Sequence, residues 1–200
     1  MAYLVLSNGE VFEGRRIGAV SDSIGEIVFT TGMVGYIETL TDPSYAGQIV
    51  IQTFPLIGNY GIIEEDFEGK TAVKGYVIRE MCDFPSNFRC EYTLDEYLKR
   101  NGICGICGVD TRQLTRIIRE EGVMNAIICD EIPSDMTEVK SYTVSGVVNA
   151  VTCDTKQTFA PDGDIRKKVT LIDYGAKKNI VRSLLRRGCE VTVVPAGTCA

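Results

Sequence analysis

The sequence predicts an α/β chain, α+β-like over most of its length and opening a parallel, doubly wound α/β unit at its end. Three observations predict this class. Short apolar runs rich in branched residues recur between Gly and Asn turns as far as Cys129. A polar, turn-rich stretch, TCDTKQTFAPDGDIRKK, interrupts the pattern near Cys153. Beyond it a strand, a helix and a strand follow one another closely, which demands a right-handed crossover between parallel strands. The expected organisation is a first domain over residues 1–152, a linker over 153–167 and the start of a second domain over 168–200. Two hundred residues suffice for one domain and part of another.

The elements follow in order. Leu4–Leu6 and Val11–Phe12 flank Asn8-Gly9, a type I′ turn signal, so a hairpin opens the chain. Ile27, Val28 and Phe29 place a strand over Glu26–Thr30, and Gly32 and Gly35 mark tight bends after it. Asp42-Pro43 forces a turn, since proline fixes its own φ and drives the preceding residue out of the helical region. Ser44 is thereby held on a stiff corner, a common turn chemistry that also suits ligand recognition. Further strands are expected over Gln48–Thr53, Lys74–Arg79, Gly102–Val109 and Val123–Asp130. Thr93 with Glu96 forms a capping box for a helix running through Tyr97 and Leu98 to Asn101-Gly102. Asp110 or Thr111 caps the next, with Leu114, Ile117 and Ile118 on one face and Gly122 at its end. In the last part, Val169–Ile172 and Glu190–Val194 read as strands around a helix over Lys177–Arg187 that Gly188 terminates. A parallel sheet of this kind needs helices on both faces, so the unit does not bury itself alone.

Composition narrows the function. Apolar residues at 44% and charged residues at 24% are those of a folded, soluble protein. No apolar run approaches the ~20 residues that cross a bilayer, and the first residues lack the basic and small-residue features of a signal peptide. A net charge of −6 argues against nucleic acid as partner and leaves a protein or a small molecule. Eight cysteines lie mostly within apolar runs, as buried free thiols of a reducing, cytoplasmic compartment do. Cys104 and Cys107 form a CxxC, the spacing of a redox pair or half a zinc site. The sequence contains no histidine and no second CxxC, and strand alternation sends the two thiols to opposite faces, so no metal site is expected. Asp173-Tyr174-Gly175 matches a kinase metal-binding tripeptide only superficially and reads as a strand end turning into a helix. Lys177, Lys178, Arg182, Arg186 and Arg187 read as a solvated face or a partner surface.

Three segments together carry a resemblance: GEIVFTTGMVGYIETLTDPSYAGQ at Gly25–Gln48, GVDTRQLTRIIREEG at Gly108–Gly122, and DYGAKKNIVRSLLRRGCEVTVVPA at Asp173–Ala196. In this order and spacing the chain resembles, from Leu4 to its last residue, the small, glutamine-hydrolysing subunits of carbamoyl-phosphate synthetases. The resemblance implies a swivelling β/β/α N-terminal domain followed by the first βαβ unit of a flavodoxin-like class I glutamine amidotransferase domain. It implies release of ammonia from L-glutamine for a large subunit, which holds ATP and its metal ions and makes carbamoyl phosphate for arginine and pyrimidine synthesis. The serine of the family's TDPSY turn, Ser44 here, is expected to help hold glutamine. The family's Cys–His–Glu triad is expected beyond Ala200, so the chain reads as truncated, with no cofactor and no catalytic residue of its own. The alternative from another class is a non-catalytic docking module for a large partner.

Overall fold

A computed structural model describes residues 1–199. β1 (Ala2–Leu6), β2 (Val11–Gly18) and β3 (Ser23–Thr30) lead into helix α1 (Tyr36–Thr41). There follow β4 (Gln48–Gln52), β5 (Leu56–Ile57), β6 (Gly75–Ile78), β7 (Glu80–Met81), α2 (Leu94–Arg100), β8 (Cys104–Cys107), α3 (Thr111–Glu121) and β9 (Met124–Cys129). After α4 (Thr137–Ser141) and α5 (Val147–Val151) come β10 (Gln157–Phe159), β11 (Lys167–Asp173), α6 (Lys178–Leu185) and β12 (Cys189–Pro195). Among the described residues no helix is long and apolar enough to cross a membrane.

Seven strands close a barrel in the order β1-β2-β8-β6-β4-β3-β9. Neighbours β3, β4, β6 and β8 run parallel, and the remaining contacts around the ring are antiparallel. Side-chain alternation decides what fills it. Leu4, Leu6, Ile49, Ile51, Val77, Ile106 and Ile128 are fully buried in one cluster fed by β1, β3, β4, β6, β8 and β9, with the half-buried Phe12 of β2 packed against it, so this cluster is the interior. Leu114 and Ile118 of α3 join it, closing the barrel with a helix. The intervening residues Val50, Tyr76 and Ile78 point outward into a second cluster, covered by Ile37 and Leu40 of α1 and by Leu94, Tyr97 and Leu98 of α2.

Several elements stand where local chemistry places them. The capping box of α2 is complete: the Glu96 amide donates to Thr93 Oγ1 at 3.2 Å and the Thr93 amide donates to Glu96 Oε2 at 2.8 Å. Asp110, not Thr111, caps α3, its Oδ1 accepting the amides of Arg112 and Gln113 at 3.1 and 3.0 Å. The first hairpin forms, but its turn is not type I′. The Leu6 amide bonds Glu10 O and the Gly9 amide bonds Leu6 O, both at 2.9 Å, and Gly9 alone in the turn has a positive φ, 97°. This is a three-residue connection with a left-handed glycine, a bulged hairpin. Asn8 uses its Oδ1 to accept the Glu10 amide at 3.0 Å, which suits a negative φ that a type I′ turn would forbid.

The last part forms a separate sheet of order β10-β12-β11. β11 and β12 are parallel, with Val169 beside Val191, and α6 crosses between them. The polar stretch before β11 is not featureless: Gln157–Phe159 pairs antiparallel with Val191–Val193 and shields that edge of β12.

The CxxC thiols part as strand alternation requires. Cys104 belongs to the barrel interior and Cys107 to the outer cluster, so they do not converge on one ligand. Burial raises both thiols above the usual cysteine range, and desolvation is the largest cause for each. Cys104, Cys107, Cys129 and Cys189 are buried while Cys199 is exposed, and all eight are free. We predict that a thiol reagent counts eight groups in denatured protein with or without prior reduction, and far fewer in native protein. A Cys104–Cys107 disulfide on peptide mapping would contradict this arrangement. Gly105 tests the barrel wall, because a Cβ there would lie 2.9 Å from Tyr76 O and 2.8 Å from Ile17 Cγ1. Gly105→Ala is expected to destabilise by ~1–3 kcal/mol through overpacking, read as a lowered denaturation midpoint.

Candidate functional site

Ser44 lies on a single 3₁₀ turn, Pro43–Tyr45, directly after α1. Asp42 caps the turn: its Oδ1 accepts the Ser44 amide at 2.9 Å, and its carbonyl accepts the Tyr45 amide at 3.1 Å. Pro43 is buried at the first turn position, where its missing N–H costs nothing, and Ser44 is left exposed. The rigid corner expected from Asp42-Pro43 is therefore present, with the hydroxyl on the surface.

The second sheet packs against this corner. Lys177, just before α6, reaches across so that its Nζ lies 2.7 Å from Asp42 Oδ2. Burial alone would raise the Asp42 carboxyl, but hydrogen bonds from Lys177 and Ser44 outweigh it and hold the group below its usual value. The Lys177 ammonium is raised, first by its bond to Asp42. The turn between β11 and α6 rests on Pro43. Gly175 has φ 95°, and a Cβ there would meet Pro43 Cβ at 3.1 Å and Val151 Cγ2 at 2.9 Å. Asp173 builds that turn, accepting the amides of Gly175 at 2.9 Å and Ala176 at 2.7 Å on Oδ1 and that of Cys153 at 2.7 Å on Oδ2. Asp173-Tyr174-Gly175 is thus a strand end turning into a helix, and its carboxylate is occupied by backbone.

Glu68 ties the two units more deeply. It is buried, and its amide donates to Thr41 Oγ1 at 3.0 Å. Its carbonyl accepts the Lys178 amide at 2.8 Å, while its carboxylate accepts the Asn179 amide at 3.1 Å and the Asn179 side-chain amide. A carboxylate from the barrel domain therefore caps the first turn of a helix from the other unit, where the helix dipole favours negative charge. Lys177 and Arg182 of the basic segment face this junction, for Lys177 pairs with Asp42 and Arg182 donates to Glu65 O at 3.1 Å. Arg186 and Arg187, together with Arg182, line a cleft of about 600 Å³ with Arg166 and the 160–164 turn.

The sequence singles out Ser44 and Asp42-Pro43 but gives no sign of Glu68 or of the Asp42–Lys177 pair. Both depend on partners more than a hundred residues away, for which no local spacing exists. Chemically, the junction offers an exposed hydroxyl beside a paired ammonium and carboxylate, a surface that can orient a polar ligand. Burial and then the Asp173 carboxylate raise the nearby Cys153 thiol above the usual cysteine range.

Comparison with known proteins places the chain in a family. The family described as carbamoyl-phosphate synthase small chain, CPSase domain, matches residues 4–128. The carbamoyl phosphate synthase small chain of Clostridium perfringens is 48% identical over 199 residues, covering 97% of this chain and 56% of that protein. The small chain of Listeria monocytogenes serotype 4b is 48% identical over 201 residues, covering 98% of this chain and 55% of its own. The pyrimidine-specific small chain of Bacillus subtilis is 47% identical over 194 residues, with 96% and 53% covered. This chain thus spans about half the length of the curated relatives it matches. Among solved structures, an aminopeptidase from Aneurinibacillus sp. strain AM-1 aligns at 14% identity over 98% of this chain and 48% of its own with a TM-score of 0.38. Matched over most of its barrel by the family and over nearly all its length by such relatives, the chain belongs to the carbamoyl-phosphate synthase small chain family.

Proposed function

We propose that this chain is the N-terminal portion of a glutamine-hydrolysing carbamoyl-phosphate synthetase small subunit. The complete subunit releases ammonia from L-glutamine in the cytoplasm and delivers it to a large subunit. There it is combined with bicarbonate and ATP to make carbamoyl phosphate for arginine and pyrimidine synthesis. Residues 1–152 form the first domain, and the stretch 153–167, whose Gln157–Phe159 already joins the small sheet, leads into the opening of a flavodoxin-like amidotransferase domain. The observation that carries the reading is the position of Ser44. It sits on a rigid, exposed corner against which the second unit packs, at the kind of domain junction where small-molecule sites form.

In this reading Ser44 bonds a charged group of glutamine, and the chemistry is performed elsewhere. Asp42 and Lys177 act as positioning residues: Asp42 fixes the Ser44 backbone, and Lys177 fixes Asp42 to the neighbouring unit. The thiol, its histidine base and the oxyanion donors belong to the part of the subunit outside this sequence, which contains no histidine.

Two outcomes follow. The chain by itself should release no ammonia from glutamine above blank, because thiolate attack without a base and an oxyanion hole forfeits several kcal/mol of transition-state stabilisation. Measurable glutaminase activity from homogeneous 200-residue protein would refute this. In the complete subunit bound to its partner, Ser44→Ala removes one bond to a charged ligand group, ~1.5–3 kcal/mol. The KM for glutamine should rise about tenfold or more with kcat less affected, because ground-state and transition-state binding are lost together. Lys177→Met should move the same KM in the same direction by loosening the corner. Synthesis from free ammonia should stay at the wild-type rate in both variants, and an equal loss with ammonia would assign the effect to damaged folding.

A further inference from the structure

The loop between β7 and α2 carries two phenylalanines with almost no cover: Phe84 is 91% and Phe88 98% exposed. Apolar rings left in water normally collapse onto the nearest surface unless the backbone prevents it. Here the backbone is pinned along its length. The Cys82 amide donates to Ile57 O at 2.8 Å, the Ser86 amide to Asn59 O at 3.0 Å, the Cys90 amide to Asn87 O at 3.0 Å and the Glu91 amide to Ile62 O at 2.9 Å. Arg89 is clamped as well, its guanidinium reaching Glu65 at 2.9 Å and Asp66 at 3.0 Å. A second pair of uncovered apolar side chains, Met33 at 73% and Val34 at 76% exposure, hangs from the same support. The Gly58–Gly61 turn that takes the Ser86 amide on Asn59 also takes the Gly35 amide on the Tyr60 hydroxyl, at 3.0 Å.

We propose that the Phe84–Phe88 loop is a preorganised protein-docking anchor that seats in an apolar cleft with a basic rim on the synthetase's large subunit. This rests on the partner reading given above and adds to it the place of contact and the character of the surface that receives it. Rings held at a fixed spacing lose little conformational freedom on binding, and buried aromatic side chains dominate interface energetics. The rim decides between occupants. Asp83 and Glu91 on the loop, with Glu80 in β7 and Glu64, Glu65 and Asp66 beside it, outnumber Arg79, Arg89, Arg100 and Arg182. Two copies of such a surface would bring like charges together, and an anionic membrane would repel it. A cleft edged by Lys and Arg complements it.

The test uses the complete small subunit and its large subunit. Titration calorimetry should give at least about thirtyfold weaker association for Phe84→Ala/Phe88→Ala, because central aromatic truncations are the costly ones. Thermal stability of the 200-residue chain should be unchanged, since both rings are in solvent there. A lowered midpoint confined to the complete subunit would mean that the rest of that subunit covers the rings and would overturn the proposal. Val20→Ala, also highly exposed but on the β2–β3 turn, should associate like wild type. Asp83→Lys should slow association and flatten its salt dependence, as a rim charge does. If wild type binds and the double alanine variant binds equally well, the anchor is refuted while the partner reading stands. If wild type itself does not bind the large subunit, both fall. If wild type is a dimer by light scattering and the double variant a monomer, the loop is a self-association surface and the proposal is overturned.

Discussion

A carboxylate taken out of water must be hydrogen-bonded or neutralised, and Glu68 meets that demand only where the two halves of the chain meet. Its backbone and side chain together engage Thr41 on one side and Lys178 and Asn179 on the other. Separate the halves and the acid loses its donors while α6 loses its cap. The relative placement of barrel and sheet is therefore tied to one residue's solvation. The Asp42–Lys177 pair and the Gly175 turn on Pro43 stand within the same junction. The corner bearing Ser44 inherits its rigidity from both units, not from Asp42-Pro43 alone.

How much of this was legible in the sequence depended on the range of the interaction. The Thr93–Glu96 capping box is a three-residue event and appears as expected, and of the two residues offered as the α3 cap, Asp110 and Thr111, Asp110 takes the role. So does the separation of Cys104 from Cys107, because a period of two needs no knowledge of the partner strand. The parallel pairing of β11 with β12 also followed locally, from the shortness of the crossover. The closed barrel did not: alternation looks the same in an open sheet, and β3, β4, β6 and β8 lie parallel only through long connections. The Asn8-Gly9 turn shows a local rule losing to another local rule, since an Asn side chain that bonds the backbone two residues on prefers the bulged hairpin.

Misplaced expectations share a cause. Residues 36–41 lie between two glycine bends and a proline turn, and that punctuation hides a helix whose Tyr36, Ile37 and Leu40 are buried at helical spacing. Gln157–Phe159 sits in a stretch composed like a linker and becomes a strand because the edge of β12 is available to it. In the candidate site, the corner was visible because proline chemistry is local. Its clamp was invisible because Glu68 looks, within EEDFEGK, like one more surface acid.

The three-residue β10 gives the small sheet a direction. On the β12 side the outermost strand is too short to template another, whereas β11 on the opposite side offers seven residues of backbone, most of them exposed. The longest open edge for an additional strand, from this polypeptide or a second molecule, is therefore that of β11. The sheet is a one-sided ratchet for growth, and the side it leaves open is the strand that ends at Asp173, next to the Ser44 corner.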